Sequence, residues 1–297
     1  MYPLCRRRRE IEAVHPYVIH NESLLEETKV RLPPVTAATL HGRGVFTVAA
    51  IHGGRPFLWP QHWARLAEHA DRAGVGRKGF DEASVGALVA RVIEANRVET
   101  GQARVMLLGR SVRGAWRARG GAQHPTDLLI ITADARNVSG AGLALTVSPF
   151  RINTHSPLAG VKSINYLEHT LAWEEARARD FDEAVVLNER GEVASATTAN
   201  LFWVTHGTLH TPALTTGAVA GVTRARLVEL AGEMALPFVE SASDLAHVGD
   251  ADEIFLTSST LGVAIVTSFD FHRYTVAAGS VALRLREAFR QLTLEPE

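Results

Sequence analysis

The sequence predicts an α+β protein of two domains, on three observations. The first half alternates strand-like segments with two amphipathic helices. The length of 297 residues suits one large domain or two medium ones with a sizeable core. A small, polar stretch over residues 133–142, ADARNVSGAG, then interrupts the pattern and reads as a linker. The expected division is an N-terminal α+β domain over 1–135, a linker over 136–142 and a C-terminal α+β domain over 143–297.

Each element has a local cause. Residues 41–59 alternate like two strands that turn at Gly53-Gly54. Pro60 opens a helix in which Trp63, Leu66, Ala70 and Ala73 share a face, and Gly74 ends it. Asp81 caps a second helix whose buried face carries Val85, Leu88, Val89, Val92 and Ile93. Strands are expected at 103–110, 127–132 and 143–150. Residues 166–179 read as a helix with Leu167, Leu171 and Glu174 in register. Two hairpins follow, 183–195 turning at Glu189-Arg190-Gly191 and 200–211 turning at His206-Gly207. A helix over 221–234, a strand over 253–257 and a terminal helix over 280–292 complete the chain.

Composition narrows the function classes. Hydrophobic residues make up 46% and charged residues 21%, as in ordinary soluble proteins. The net charge of −1 gives no global field to attract nucleic acid. The basic run Arg6–Arg9 reads as a solvated arm or partner contact, because no aromatic-plus-basic module follows it. The single cysteine, Cys5, excludes an intrachain disulfide, lies in a charged segment without an evident partner, and points to a reducing, cytoplasmic setting. No apolar run approaches membrane-spanning length, and no signal-peptide core follows the N-terminal charges. The histidines show no metal-ligand spacing, and no Gly-rich nucleotide loop is present.

Lysine occurs only at positions 29, 78 and 162. Lys29 follows two glutamates and Lys78 lies in a turn between helices, so both suit a surface. Lys162 sits in SPLAGVKSINYL, an apolar and small-residue segment just before a helix. Burial there lowers its pKa toward the reactive free amine that forms Schiff bases. On local context alone, a surface lysine with a snorkelling head is the commoner reading.

Seven motifs in order resemble the class IV, or fold type IV, pyridoxal-phosphate enzymes. They are Gly42-Arg43-Gly44-Val45-Phe46, His62-Trp63-Ala64-Arg65-Leu66, Lys162 with Asn165 and Tyr166, the Gly191-to-Phe202 hairpin, Thr211-Pro212, Gly221-Val222-Thr223-Arg224, and the Thr257-to-Thr260 cluster. The match runs from about residue 40 to about residue 266. The resemblance implies a two-domain fold with the cofactor, pyridoxal 5'-phosphate, between the domains, and a homodimer. It implies that Lys162 carries the cofactor and that Arg65, Val222, Thr223 and Ser259 hold its phosphate. Arginine and a helix N-terminus suit that dianion, although a surface arginine and a plain helix start are the commoner uses of such residues. Tyr166 matches the partner of the phenolate oxygen, or else a core tyrosine. Val219 matches the residue packed on the ring. His41, Phe46, Arg104 and Thr260 match positions near the substrate, while Phe46 equally suits the core and Arg104 a buried ion pair. The role of His155 is open.

One position departs from the family. Where members carry a glutamate against the pyridine nitrogen, this chain has Ser195, and Glu192 should face the other side of the strand. Serine supplies no negative charge to keep the ring protonated, so the electron sink weakens. Transamination suffers most from that loss, and an elimination driven by aromatisation suffers least. Phe46-Thr47 and Ala199-to-Trp203 also resemble aminodeoxychorismate lyases, which remove pyruvate from 4-amino-4-deoxychorismate to give 4-aminobenzoate for folate synthesis. The sequence leaves two further readings open. One is a transaminase for D-amino acids, branched-chain amino acids or (R)-amines; the other is a degenerate, non-catalytic family member.

Overall fold

The computed structural model describes residues 14–110, 125–136 and 142–294. Cys5, the Arg6–Arg9 run and residues 137–141 of the expected linker lie outside the described residues. Two sheets organise the chain. The first is antiparallel and six-stranded, from β1 (Tyr17–His20), β2 (Ser23–Glu26), β3 (Gly44–His52), β4 (Arg55–Pro56), β5 (Thr100–Gly109) and β6 (Thr126–Asp134), in the order β2-β1-β6-β5-β3-β4. Beside it lie the short α1 (Ala37–His41) and the longer α2 (Trp59–Ala73) and α3 (Glu82–Asn96).

The expected punctuation holds in this half. Gly53 and Gly54 both take positive φ, 54° and 73°, as the tight turn between β3 and β4 requires. Pro60 lies in the first turn of α2, and Gly74 ends that helix in the left-handed region at φ 64°. Asp81 caps α3 by accepting from the Ser84 amide, and the Ser84 side chain accepts from the Asp81 amide in return. Trp63, Leu66 and Ala70 of α2 and Val85, Val89 and Val92 of α3 meet Val45, Val105, Leu107 and Ile130 of the sheet in one core. Truncating fully buried Leu66 to alanine costs about 2–5 kcal/mol on that basis.

The second sheet has nine strands. These are β7 (Leu143–Ile152), β8 (Glu183–Asn188), β9 (Val193–Ala196), β10 (Asn200–Thr205), β11 (Thr208–Pro212), β12 (Phe238–Ser241), β13 (Glu253–Ser258), β14 (Gly262–Phe269) and β15 (His272–Arg273). The order is β12-β11-β10-β13-β14-β7-β8-β9, with β15 on β14. β7 runs parallel to both β8 and β14. The sheet curls, and a tight turn in which the Ala196 amide donates to the Ala199 carbonyl carries β9 into β10. α4 (Leu167–Ala178), α5 (Val222–Glu233), the short α6 (Leu245–Gly249) and α7 (Val281–Leu292) complete this half. α5 and α7 share a core with Phe202, Phe255 and Ile265 of the sheet.

α4 differs from its expected register. It buries Ala172 and Ala176, and leaves Leu167 66% and Leu171 46% exposed. Two alanines let the helix lie close to the sheet, so the leucines turn outward with exposed Phe150. Among the described residues no helix is long and apolar enough to cross a membrane, and no cluster of three metal-ligating side chains occurs.

Candidate active site

The segment around Lys162 is stitched to the first sheet. The Phe46 amide donates to the Lys162 carbonyl and the Ile164 amide to the Gly44 carbonyl, at 3.0 Å each, so residues 162–164 pair with the start of β3. Asn165 Nδ2 donates to the Gly42 carbonyl at 2.8 Å. A Cβ on Gly42 would lie 1.9 Å from Asn165 Oδ1, and its φ is +63°, so glycine is needed there on both counts. The Lys162 amide in turn donates to Nδ1 of buried His69 on α2, at 3.0 Å. The backbone of Lys162 is thus held on both sides.

Its side chain enters a cavity of about 180 Å³ lined by both sheets and by α2 and α5. The Nζ atom lies 4.6 Å from the Phe46 ring centre and 5.0 Å from that of Tyr166. Burial, with the nearby charges of Arg65 and Arg104, pulls the amine down to about 7. At neutral pH a large share of it is therefore free base, competent to attack a carbonyl or take up a proton.

One end of the cavity is built for an anion. Arg65 on α2 reaches it, with Nη2 donating to Thr47 Oγ1 at 2.9 Å and Nη1 to the Ala220 carbonyl at 3.3 Å, while its buried Nε has no partner among the described residues. α5 begins there at Gly221 with no side-chain cap, so the amides of Val222 and Thr223 face an unpaired helix N-terminus. A Cβ on Gly221 would stand 2.0 Å from Asn200 Oδ1, so the close approach of β10 to this turn requires glycine. Asn200 Nδ2 also donates to the Val219 carbonyl at 2.9 Å and fixes that wall. Ser259 and buried Thr257 add hydroxyls, and Thr257 Oγ1 is likewise unpaired among the described residues.

The opposite wall carries Tyr166, His169 and the turn 197–198. Tyr166 donates its hydroxyl to the Thr197 carbonyl at 3.1 Å, and burial with nearby Glu183 raises its pKa to about 12. His169 stacks on the Tyr166 ring at 4.4 Å, and burial with the Lys162 charge lowers it to about 4, so it is neutral. Glu183 is buried behind this wall. Its carboxylate accepts from the amides and hydroxyls of both Thr197 and Thr198 and fixes their turn. Arg104 of β5 lies 4.0 Å over the Phe46 ring, half-buried, with Nε unpaired and no ion pair among the described residues.

Of the residues expected at the site, Lys162, Arg65, Tyr166, Ser195, Val219, Val222, Thr223, Ser259, Phe46, Arg104 and Thr260 all line this one cavity. His41 does not. It ends α1, exposed, where Gly42 turns the chain away. Glu192 points out of the cavity and pairs with Arg190 at 2.6 Å. His155 is exposed and 4.0 Å from Glu189. No carboxylate lines the cavity among the described residues. The sequence reading missed His69, His169 and Glu183. An acid at the head of the apolar run Ala184–Leu187 was the one available signal.

Residues 44–269 match the Amino-transferase class IV family. A relative from Bacillus subtilis (strain 168), named aminodeoxychorismate lyase, is 26% identical over 275 residues, covering 91% of this chain and 92% of its own. A Bacillus licheniformis relative named D-alanine aminotransferase is 25% identical over 255 residues, covering 85% and 88%. Among solved structures, a branched-chain aminotransferase of Thermoproteus uzoniensis with norvaline superposes with a TM-score of 0.87 at 23% identity, over 95% of each chain.

Proposed function

This chain belongs to the class IV amino-transferase family and is an enzyme that depends on pyridoxal phosphate, and from that premise we propose that Lys162 holds the cofactor and that the reaction is elimination of pyruvate from 4-amino-4-deoxychorismate. The cavity suits the group. A phosphate dianion answers the unpaired Arg65 Nε and Thr257 Oγ1 and the uncapped start of α5. An aldehyde answers the amine lowered to about 7. When bound, pyridoxal phosphate supplies an electron sink for negative charge at the substrate carbon that carries the amine.

The remaining work falls to this chain's own side chains. Arg65, the Val222 and Thr223 amides and Ser259 hold the phosphate. Tyr166 orients the phenolate side, Val219 packs on the ring, and Ser195 donates a hydroxyl toward the ring nitrogen. Arg104 donates to a substrate carboxylate, with Phe46 and Thr260 shaping that end. Lys162 Nζ takes a proton from the amine-bearing carbon and returns one as the ether bond breaks. Pyruvate leaves, the ring becomes aromatic, and 4-aminobenzoate remains; no water or oxidant is consumed. The two domains would divide at residues 136–142, with the cofactor between them.

The observation that carries the choice of elimination is the cavity wall at Ser195. Ser195 lines the cavity with a hydroxyl, and among the described residues no acid lines it to replace the missing glutamate. An elimination assisted by aromatisation tolerates that weaker sink. Purified protein given 4-amino-4-deoxychorismate should release 4-aminobenzoate and pyruvate in equal amounts; absence of both rejects the reading. The rival reading, amino-group transfer, draws support from the D-alanine aminotransferase relative, which spans most of this chain. It predicts loss of the cofactor's visible absorption on adding a donor amine alone.

A further inference from the structure

Behind the anion end of the cavity lies a chain of hydrogen bonds that the roles above leave unused. Arg65 Nη2 donates to Thr47 Oγ1 at 2.9 Å. Thr47 Oγ1 meets His62 Nδ1 at 2.7 Å, and His62 Nε2 meets Ser259 Oγ at 3.2 Å. Thr47 is 0% and His62 1% exposed, so water completes neither. Ser259 is half-buried and lines the cavity.

Counting donors orders this chain. Thr47 already accepts from Arg65, and among the described residues its own O–H proton has one acceptor in reach, His62 Nδ1. If Nδ1 carried the proton instead, the buried hydroxyl would receive two N–H groups and leave its own proton unpaired. With Nδ1 accepting, a neutral ring bears its proton on Nε2 and donates to Ser259 Oγ. The Ser259 hydroxyl proton then has no protein acceptor among the described residues and is free to point into the cavity. The reverse order would turn Ser259's lone pairs toward an anion, which is unfavourable. Burial and the charges of Arg65 and Lys162 hold the His62 pKa well below its ordinary value, in keeping with a neutral ring.

We infer that His62 is a positioning residue that, as the Nε2–H tautomer, makes the Ser259 hydroxyl an obligate donor to the phosphate group bound beside Arg65. This rests on the phosphate site proposed above but not on the reaction. The relay makes Arg65 act twice, once directly on the anion and once through Thr47, His62 and Ser259.

The test uses the full-length chain, 15N-labelled, with the His62 ring signals assigned by difference from His62→Gln. The expected spectrum has a protonated Nε2 and an unprotonated Nδ1. A proton on Nδ1, or an imidazolium at neutral pH, overturns the inference and needs no variant to fold beyond the one used for assignment. The second arm measures inorganic phosphate binding to the cofactor-free chain. Ser259→Ala and His62→Leu should each weaken it about tenfold, as loss of one hydrogen bond to a charged acceptor does. In the Ser259→Ala background, His62→Leu should add less than about twofold, because the two act as one unit. Additive losses mean that His62 acts only through packing, and overturn it. Inorganic phosphate needs no covalent link to Lys162, so failure here leaves labelling of Lys162 intact, and failure of labelling leaves this result standing.

Discussion

Replacing Arg104 by glutamine should raise the pKa of the Lys162 amine. The Arg104 guanidinium carbon lies 4.0 Å and Lys162 Nζ 4.6 Å from the same Phe46 ring centre, which puts the two cations within about 9 Å of each other. At an effective dielectric of about 20, that separation amounts to a repulsion of roughly 2 kcal/mol, a factor of ten or more in the ionisation constant. Burial is the larger cause of the lowered value and Arg65 remains in place, so the amine moves from about 7 to about 8 rather than to its ordinary 10.5. The assay is the pH dependence of acylation of Lys162 in the cofactor-free chain, followed by mass spectrometry of its peptide. An unchanged or lower midpoint in Arg104→Gln would refute the electrostatic reasoning, and a wild-type midpoint near 10.5 would refute burial as well.

Three other outcomes follow from the same geometry. The unfolded Lys162 binds its proton up to about 10.5 and the folded one only up to about 7, so the unfolded chain holds more protons between these values and the cofactor-free protein gains stability as pH rises through that window. Lys162→Met removes this contribution and should stabilise the cofactor-free chain at neutral pH by roughly 4 kcal/mol, with little gain at pH above about 10, by denaturant titration. Glu183→Gln turns N–H groups toward the Thr197 and Thr198 donors and should cost about 3 kcal/mol; an unchanged melting temperature would show that the carboxylate does not organise this turn. Ser195→Glu puts an acid on the cavity wall and, with Ser195 in its proposed role, should speed loss of the amino group from a donor amine by about tenfold or more. A donor half-reaction no faster than wild type would remove Ser195 from that position.

Local signals in the sequence were sufficient wherever neighbours in the chain decide the structure. Gly53-Gly54, Asp81 with Ser84, Pro60 and Gly74 act within a turn or two of themselves, and each sits where its own chemistry requires. Scarcity left only three lysines to compare and an apolar neighbourhood set Lys162 apart, but only the order of the surrounding motifs gave it a role. Ser195 was legible as a departure from a motif, and it lines the cavity.

What escaped was set by contacts between distant segments. His69 meets Lys162 across 93 positions of chain, and Ser259 meets His62 across 197. No spacing rule links such pairs. Leu167 and Leu171 follow helical periodicity yet face outward, because alanines permit the closer approach to the sheet. β1 and β2 are too short for alternation to distinguish them from the loops that precede α1. Glu183 heads an apolar run, but the Thr197 and Thr198 donors that hold its buried carboxylate lie 14 and 15 positions further on.

The most direct test of the central claim is reduction of the purified, cofactor-loaded protein with borohydride, followed by digestion and mass spectrometry. A single phosphopyridoxyl group should appear, on the peptide that contains Lys162. An unmodified Lys162 peptide, or a label on Lys29 or Lys78 instead, would contradict it.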